Sequence, residues 1–299
     1  MAAPSAAHEQ RTLYVTITVT MVLGAVGIAW GLAVGSQMIL LDGVYAFIEV
    51  VLSALLVRAS WLARQGPTRQ FPYGREAATP LVIGIYGFVL VGTLFYAAVE
   101  AVATIREGGS DFAAGSAIVF GIITTVGSVA TWIWLRSAAG ESDLLAAETG
   151  AWRISSMRGI GMVVGFSLMA VLAGSRWDDA VPYIDPVMVL ITCVAFVPTP
   201  LRMIKVTILE LLEANPDAAI RDAVETRVEA VRIQFGLDPL EVLMTKVGPK
   251  LYVEVDGVVD GALTITDEHV VRQQILSALD ELPYEIWLNV ELTPAGFGS

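Results

Sequence analysis

Residues 37–63 read QMILLDGVYAFIEVVLSALLVRASWLA, a run that is apolar along almost its whole length. A helix needs about 20 apolar residues to cross the hydrocarbon core of a bilayer, and this run is long enough. The chain as a whole is 55% hydrophobic with a mean hydropathy of +0.67, well above an ordinary soluble domain. Similar runs lie at about 12–34, 80–105, 114–135, 144–174 and 181–201. The sequence therefore predicts a membrane α-helical protein with six transmembrane helices.

The positions of Lys and Arg around these runs predict the orientation, because cytoplasmic loops carry an excess of basic residues. Two of them, Arg106 and Arg176, fall on one side of the membrane. The larger group falls on the other side and comprises Arg11, Arg58, Arg64, Arg69, Arg75, Arg136, Arg202 and Lys205. We therefore expect an integral protein of a prokaryotic plasma (inner) membrane with both termini in the cytoplasm.

The chain changes character after the sixth run. Helical periodicity at 216–236 is followed by two strand patterns around a Gly-Pro turn, by a second helical pattern that begins at Thr266 as its N-terminal cap, and by a last strand pattern at 284–292. This order predicts a small ferredoxin-like α+β domain with the sequence α-β-β-α-β. We expect two domains: residues 1–211, a six-span transmembrane domain, and residues 212–299, a cytoplasmic dimerisation or regulatory domain.

Composition excludes several classes of function. The net charge of −12 argues against nucleic acid as a partner. The single cysteine rules out a disulfide framework within the chain. We find no phosphate-binding loop, no Cys/His cluster with metal spacing and no nucleophile triad, so we expect neither an enzyme nor a bound cofactor. The expected partners are the lipid bilayer and a second copy of the chain.

Charged residues inside the apolar runs are the main functional signal. Asp42, Tyr45 and Glu49 share one face of the second predicted helix, and Glu148, Ser155 and Arg158 share one face of the fifth. These helices run in opposite directions across the membrane. If the two faces meet, Asp42 lies near Arg158 and Tyr45 lies near Ser155. Arg153, also in the fifth run, points away from this face.

Two interpretations of these charges remain open. Intramembrane acids usually mark a path for ions or protons, because a charged side chain in the bilayer is costly. Alternatively, Asp42 and Arg158 form a buried pair that only fixes the register of the two helices.

Five segments of the chain resemble the cation diffusion facilitator (cation efflux) family. They are GSQMILLDGVYAFIEV at 35–50, FPYGREAATPL at 71–81, LAAETGAWRISSMRGIGMVVG at 145–165, YIDPVMVLI at 183–191 and LLEANPD at 211–217. The resemblance extends to the α-β-β-α-β tail. It implies a homodimeric antiporter that exchanges a divalent metal ion for protons.

The sequence departs from the family at the metal site. The resemblance places the four metal ligands of the family at Tyr45, Glu49, Ala151 and Ser155. Only Glu49 is a strong ligand, since zinc prefers Cys, His and carboxylate groups. The acids that flank this set in the family, Asp42 and Glu148, are present.

We therefore expect a divergent member that exports a cation by proton antiport. The candidate transport-site residues are Asp42, Tyr45, Glu49, Glu148, Ser155 and Arg158, and the candidate metal ligands among them are Asp42, Glu49 and Glu148. A site of oxygen donors favours a hard divalent ion such as Mn²⁺ or Mg²⁺. Two alternatives stand beside this: transport of another ion or solute through a site neutralised by Arg158, and a non-transporting relative that acts as a dimer partner or sensor.

Overall fold

The computed structural model describes residues 6–63, 65–110, 114–138, 143–259 and 264–294. Six helical stretches in this part of the chain are long and apolar enough to cross a membrane, which confirms the predicted architecture. The first five are single helices: α1 Ala6–Val34, α2 Gln37–Ala63, α3 Ala78–Glu107, α4 Ala114–Ala138 and α5 Asp143–Leu172. The sixth stretch, Asp178–Leu211, begins with a short 3-10 turn and continues as α6 Ile184–Phe196 and α7 Pro198–Leu211.

The chain divides into two compact units. One comprises Met1–Ala54 with Phe88–Leu201, and the other comprises Leu55–Gly87 with Arg202–Ser299. The second unit combines the C-terminal part of the chain with the end of α2, the start of α3 and the segment between them. The predicted boundary between the two domains, after residue 211, stays a prediction.

In the first unit, close approaches between helix backbones fix the packing. A side chain at Gly31 of α1 would place its Cβ 2.6 Å from the backbone nitrogen of Leu40 in α2. A Cβ at Gly159 of α5 would lie 3.2 Å from the Cα of Thr125 in α4. Small residues at such crossings let helices approach closely in a membrane. The close packing of α5 on α4 orients the side chains that α5 directs towards the other helices.

The C-terminal domain has the predicted order α-β-β-α-β. Its elements are α8 Ala218–Phe235, β1 Glu241–Val247, β2 Lys250–Val259, α9 Ile265–Leu279 and β3 Glu285–Pro294. The sheet order is β1-β2-β3, with β1 antiparallel and β3 parallel to β2. Both helices contribute apolar faces to one core with the sheet, including Val228 of α8, Ile275 of α9 and Val253 of β2, all buried.

The start of α9 differs from the prediction. Thr264, not Thr266, is the N-cap: its hydroxyl accepts from the backbone N–H of Asp267, and the Asp267 carboxylate accepts from the N–H of Thr264. This reciprocal arrangement is a capping box, which needs an acceptor three residues after the cap. Thr264 has Asp267 in that position, whereas Thr266 has His269.

In the second unit, the turn between β1 and β2 contacts two carboxylates. Glu210, near the end of α7, accepts from the backbone N–H of Gly248 at 2.7 Å and pairs with Lys246 at 3.2 Å. Glu76, between α2 and α3, pairs with Lys250 at 3.2 Å. Gly248 has a φ of +59°, and a Cβ there would lie 2.6 Å from the carbonyl oxygen of Glu76, so this position requires glycine.

Candidate functional site

The predicted ion pair between α2 and α5 is present. Arg158 Nε lies 2.8 Å from Asp42 Oδ1, and the two side chains are 14% and 18% exposed. The pair forms because antiparallel helices present Asp42 and Arg158 at the same level, as their helical positions predicted. A guanidinium remains protonated in proteins, so this site holds a permanent positive charge.

Two aromatic rings lie beside the guanidinium of Arg158. Its Cζ is 5.5 Å from the ring centroid of Tyr45, one turn after Asp42 on α2, and 6.0 Å from that of Phe196 at the end of α6. The two rings are themselves 6.1 Å apart. These distances suit cation–π attraction, which reinforces the position of Arg158. Phe196 was not predicted, since an apolar residue at the end of an apolar run carries no signal of its own.

A small cavity borders the pair. Its volume is about 10 Å³, the room for about one water molecule. Four helices contribute its walls: α2, α3, α5 and α6. The lining residues are Met38, Leu41, Asp42, Tyr45, Leu94, Arg158, Thr192 and Phe196.

Glu49 lies within electrostatic range of the pair, and Glu148 lies within electrostatic range of Glu49. Glu49 interacts electrostatically with Arg158, Asp42 and Glu148, and within the described part of the chain it has no hydrogen bond or ion pair. Glu148 accepts a hydrogen bond from Trp152 Nε1 at 3.0 Å on its own helix. The structure thus links five of the six candidate residues into one charged cluster, with Glu148 connected to it through Glu49.

Ser155, the sixth candidate, has its polar partner elsewhere. Its hydroxyl oxygen is 3.5 Å from that of Ser128 on α4. Ala151, one turn earlier on α5, is exposed. The sequence predicted that Ser155 lies near Tyr45, and it did not predict the contact with Ser128. The face pattern of α5 alone contains no information on how closely α5 packs on α4.

The three candidate metal ligands do not form a compact set. Among the described residues, no group of three or more His, Cys, Asp and Glu side chains lies close enough to hold a metal ion. Arg158 pairs with the Asp42 carboxylate, and the seven-residue spacing puts Glu49 about 10 Å further along α2. Metal binding by Asp42, Glu49 and Glu148 therefore stays a prediction.

A buried carboxylate on α6 had no predicted role. Asp185 is fully buried and accepts hydrogen bonds from Ser36 Oγ at 2.7 Å and from the backbone N–H groups of Gln37 and Met38 at 2.9 and 3.3 Å. These amides lie at the start of α2, where a negative charge is stabilising. Asp185 thus ties α6 to the first turn of the helix that carries Asp42. The sequence feature that could have revealed Asp185 is the presence of an acid inside the sixth apolar run.

Comparison with known families agrees with this architecture. The sequence model of one protein family, the cation efflux transmembrane domain, matches residues 13–212, which is more than half of the chain. The chain belongs to the cation efflux family. Cation efflux proteins are transporters, and the six apolar helices make this member an integral membrane protein in contact with the lipid bilayer. No curated protein matches the chain.

The family match covers the charged cluster and Asp185 together. The matched range begins in α1 and ends just after α7, so all six apolar stretches belong to it. The cluster of Asp42, Tyr45, Glu49, Glu148 and Arg158 therefore lies within the residues that match the cation efflux transmembrane domain.

Proposed function

We propose that this cation efflux protein is a secondary transporter that exports a hard divalent cation in exchange for protons and works as a homodimer. The observation that carries the proposal is the charge of the cluster. The cluster carries three carboxylates, on Asp42, Glu49 and Glu148, and one guanidinium, on Arg158. Two negative charges remain uncompensated when all four groups are ionised. One divalent cation or two protons would neutralise them, so the two kinds of ion can replace each other at this place.

The donor atoms support a hard ion as the substrate. The cluster offers carboxylate oxygens and the phenol oxygen of Tyr45, which suit Mn²⁺ and Mg²⁺ better than Zn²⁺. Mg²⁺ binds through one or two carboxylates and keeps several waters. A site for such an ion does not need three carboxylates to converge on one point.

The distribution of basic residues supports the orientation of the protein in the membrane, and the match to the cation efflux family supports export. Both termini and residues 212–299 would lie in the cytoplasm of a prokaryotic cell, and the transporter would remove the cation from that compartment. The C-terminal domain, with its own core around α8, α9 and the sheet, would be the dimerisation or regulatory domain.

Two observations favour the alternatives. Arg158 already neutralises Asp42, and Ala151 stands where the family has a ligand. Transport of another ion or solute, or a role as a non-transporting dimer partner or sensor, would be compatible with this arrangement.

Reconstituted protein distinguishes these functions. Proteoliposomes with an entrapped pH dye would be given Mn²⁺, Mg²⁺ or Zn²⁺ across a defined pH gradient. We expect Mn²⁺ or Mg²⁺ entry to drive proton exit, with a smaller response to Zn²⁺. Zinc flux larger than both would refute the hard-ion assignment, and the absence of ion-dependent proton movement would favour the alternatives.

A further inference from the structure

We propose that Arg158 is a tethered cation that competes with the transported ion for the carboxylate of Asp42 and so sets the affinity and selectivity of the site. The inference rests on the proposed function, because the competition exists only if a cation binds at Asp42. It assigns Arg158 a role in specificity rather than in helix register alone.

The geometry makes simultaneous occupancy unfavourable. Arg158 Nε lies 2.8 Å from Asp42 Oδ1, and an ion such as Mg²⁺ would need a carboxylate oxygen at about 2.0–2.1 Å. The cavity beside the pair has room for about one water molecule, whereas such an ion retains several waters in its hydration shell. The ion and the guanidinium are also both positive. These features favour the departure of Arg158 from Asp42 when the ion binds.

The surroundings of Arg158 favour its position on Asp42 when no ion is bound. The rings of Tyr45 and Phe196 flank the guanidinium, with centroids 5.5 and 6.0 Å from Cζ. Because a guanidinium does not lose its proton in the physiological range, a change of pH does not remove this competitor. Only a sufficient concentration of the transported ion does.

Glu49 offers the displaced arginine a second partner. It lies two turns after Asp42 on the same face of α2, and it interacts electrostatically with Arg158. Within the described residues Glu49 has no hydrogen-bond or ion-pair partner of its own. A shift of the guanidinium from Asp42 towards Glu49 would free the Asp42 carboxylate for the ion and pair Arg158 with Glu49. Arg158 would then have a carboxylate partner both with and without the ion.

The expected size of the effect follows from the competition. When the binding-competent state is populated for only a fraction of the time, the apparent affinity falls by that fraction. If the pair is formed about nine-tenths of the time, removal of Arg158 tightens ion binding about tenfold.

The test is equilibrium binding of Mn²⁺ to the full chain in nanodiscs, with free Mn²⁺ measured by electron paramagnetic resonance. Arg158→Gln should bind Mn²⁺ about tenfold or more tightly than the wild type. The gain should be absent when Asp42→Asn is added, since the released carboxylate is then gone. Arg153→Gln, which changes an exposed arginine on the same helix, should leave the affinity unchanged.

A second measurement uses the wild-type protein and does not depend on the folding of a variant. Phenylglyoxal modifies accessible guanidinium groups, and mass spectrometry would compare Arg158 with Arg153 as an internal reference. Saturating Mn²⁺ should raise the labelling of Arg158 relative to Arg153. The competition is refuted if Mn²⁺ binds to the wild type while Arg158 labelling stays constant, or if Arg158→Gln binds Mn²⁺ no more tightly. In both cases the proposed transport of Mn²⁺ would stand. If Mn²⁺ binds to neither protein, the hard-ion function and the competition fail together.

Discussion

Arg158 and Asp42 are joined across two antiparallel helices by a 2.8 Å contact, whereas Arg153, on the same helix as Arg158, is exposed. Two arginines of one helix thus have opposite surroundings. Loss of one partner from such a partly buried pair leaves the other charge uncompensated and destabilises the protein. We therefore expect Asp42 to be energetically coupled to Arg158 and not to Arg153.

We predict coupling between Asp42 and Arg158 in a double-mutant cycle. Asp42→Asn and Arg158→Gln should each lower the free energy of unfolding in detergent, and the double variant should recover much of the loss. The coupling energy should be about 0.5–3 kcal/mol, the range for residues in direct contact. The matched cycle of Asp42→Asn with Arg153→Gln should give a value near zero. Equal coupling in both cycles would contradict the assigned register of α5.

We predict weak zinc binding by the transmembrane part. Ala151 and Ser155 stand at two ligand positions of the family, and neither is a zinc ligand of useful strength. Calorimetric titration of the full chain should show no sub-micromolar zinc site. The double change Ala151→His with Ser155→Asp should raise zinc affinity, although Tyr45 limits the gain. A tight site in the unmodified protein would overturn this account of the donor set.

We predict that the pair of Lys250 and Glu76 stabilises the second unit at neutral pH and loses this effect in alkali. Burial lowers the pKa of Lys250, but the hydrogen bond and the charge of Glu76 outweigh burial, with smaller contributions from Tyr252 and Glu285, and the pKa is raised. A lysine whose pKa is raised on folding stabilises fully below its unfolded pKa, near 10.5, and the effect disappears as the pH rises through the folded pKa.

Lys250→Met should therefore lower the free energy of unfolding of the full chain at pH 8 by about 1.5–3 kcal/mol, the range for a hydrogen bond between charged groups. Thermal unfolding in detergent should show the gap between variant and wild type shrinking above pH 10.5. Glu76→Gln should behave in the same way. A stability difference between variant and wild type that grows as the pH rises would contradict this prediction.

We predict that Asp185→Asn destabilises the first unit. The carboxylate accepts from Ser36 and from two backbone amides at the start of α2, and an asparagine can present only one oxygen to these donors. Each unpaired buried donor costs about 1–3 kcal/mol. Asp179→Asn, at an exposed position just before α6, should change the melting temperature little. Similar effects of the two substitutions would show that the Asp185 contacts carry no stability.

The sequence predicted the positions of the helices well where length and hydropathy define them. It predicted the end of a helix less well where charged residues follow the apolar run. The sixth span was expected to end near 201, yet α7 continues to Leu211. Arg202 and Lys205 end an apolar run but do not end a helix, because both are good helix formers. The order α-β-β-α-β was predictable, since each element carries its own periodicity and end signals.

For the site, the contacts that could be predicted were those between matching helix faces. Asp42 and Arg158 met as expected because each lies on a defined face and the helices are antiparallel. The contact of Ser155 with Ser128 and the ring of Phe196 beside Arg158 depend on how a third helix packs. Single-helix patterns contain no information on such neighbours.

The most direct test of the central claim is Mn²⁺-driven proton exit from proteoliposomes containing Glu49→Gln, compared with Glu100→Gln. Both changes remove an acid from an apolar helix, but Glu49 belongs to the charged cluster and Glu100 is exposed on α3. If the cluster is the transport site, Glu49→Gln should reduce the coupled flux at least about tenfold, the equivalent of 1.4 kcal/mol in the barrier, while Glu100→Gln transports as the wild type does. Wild-type flux in Glu49→Gln would contradict the assignment of the transport site to this cluster.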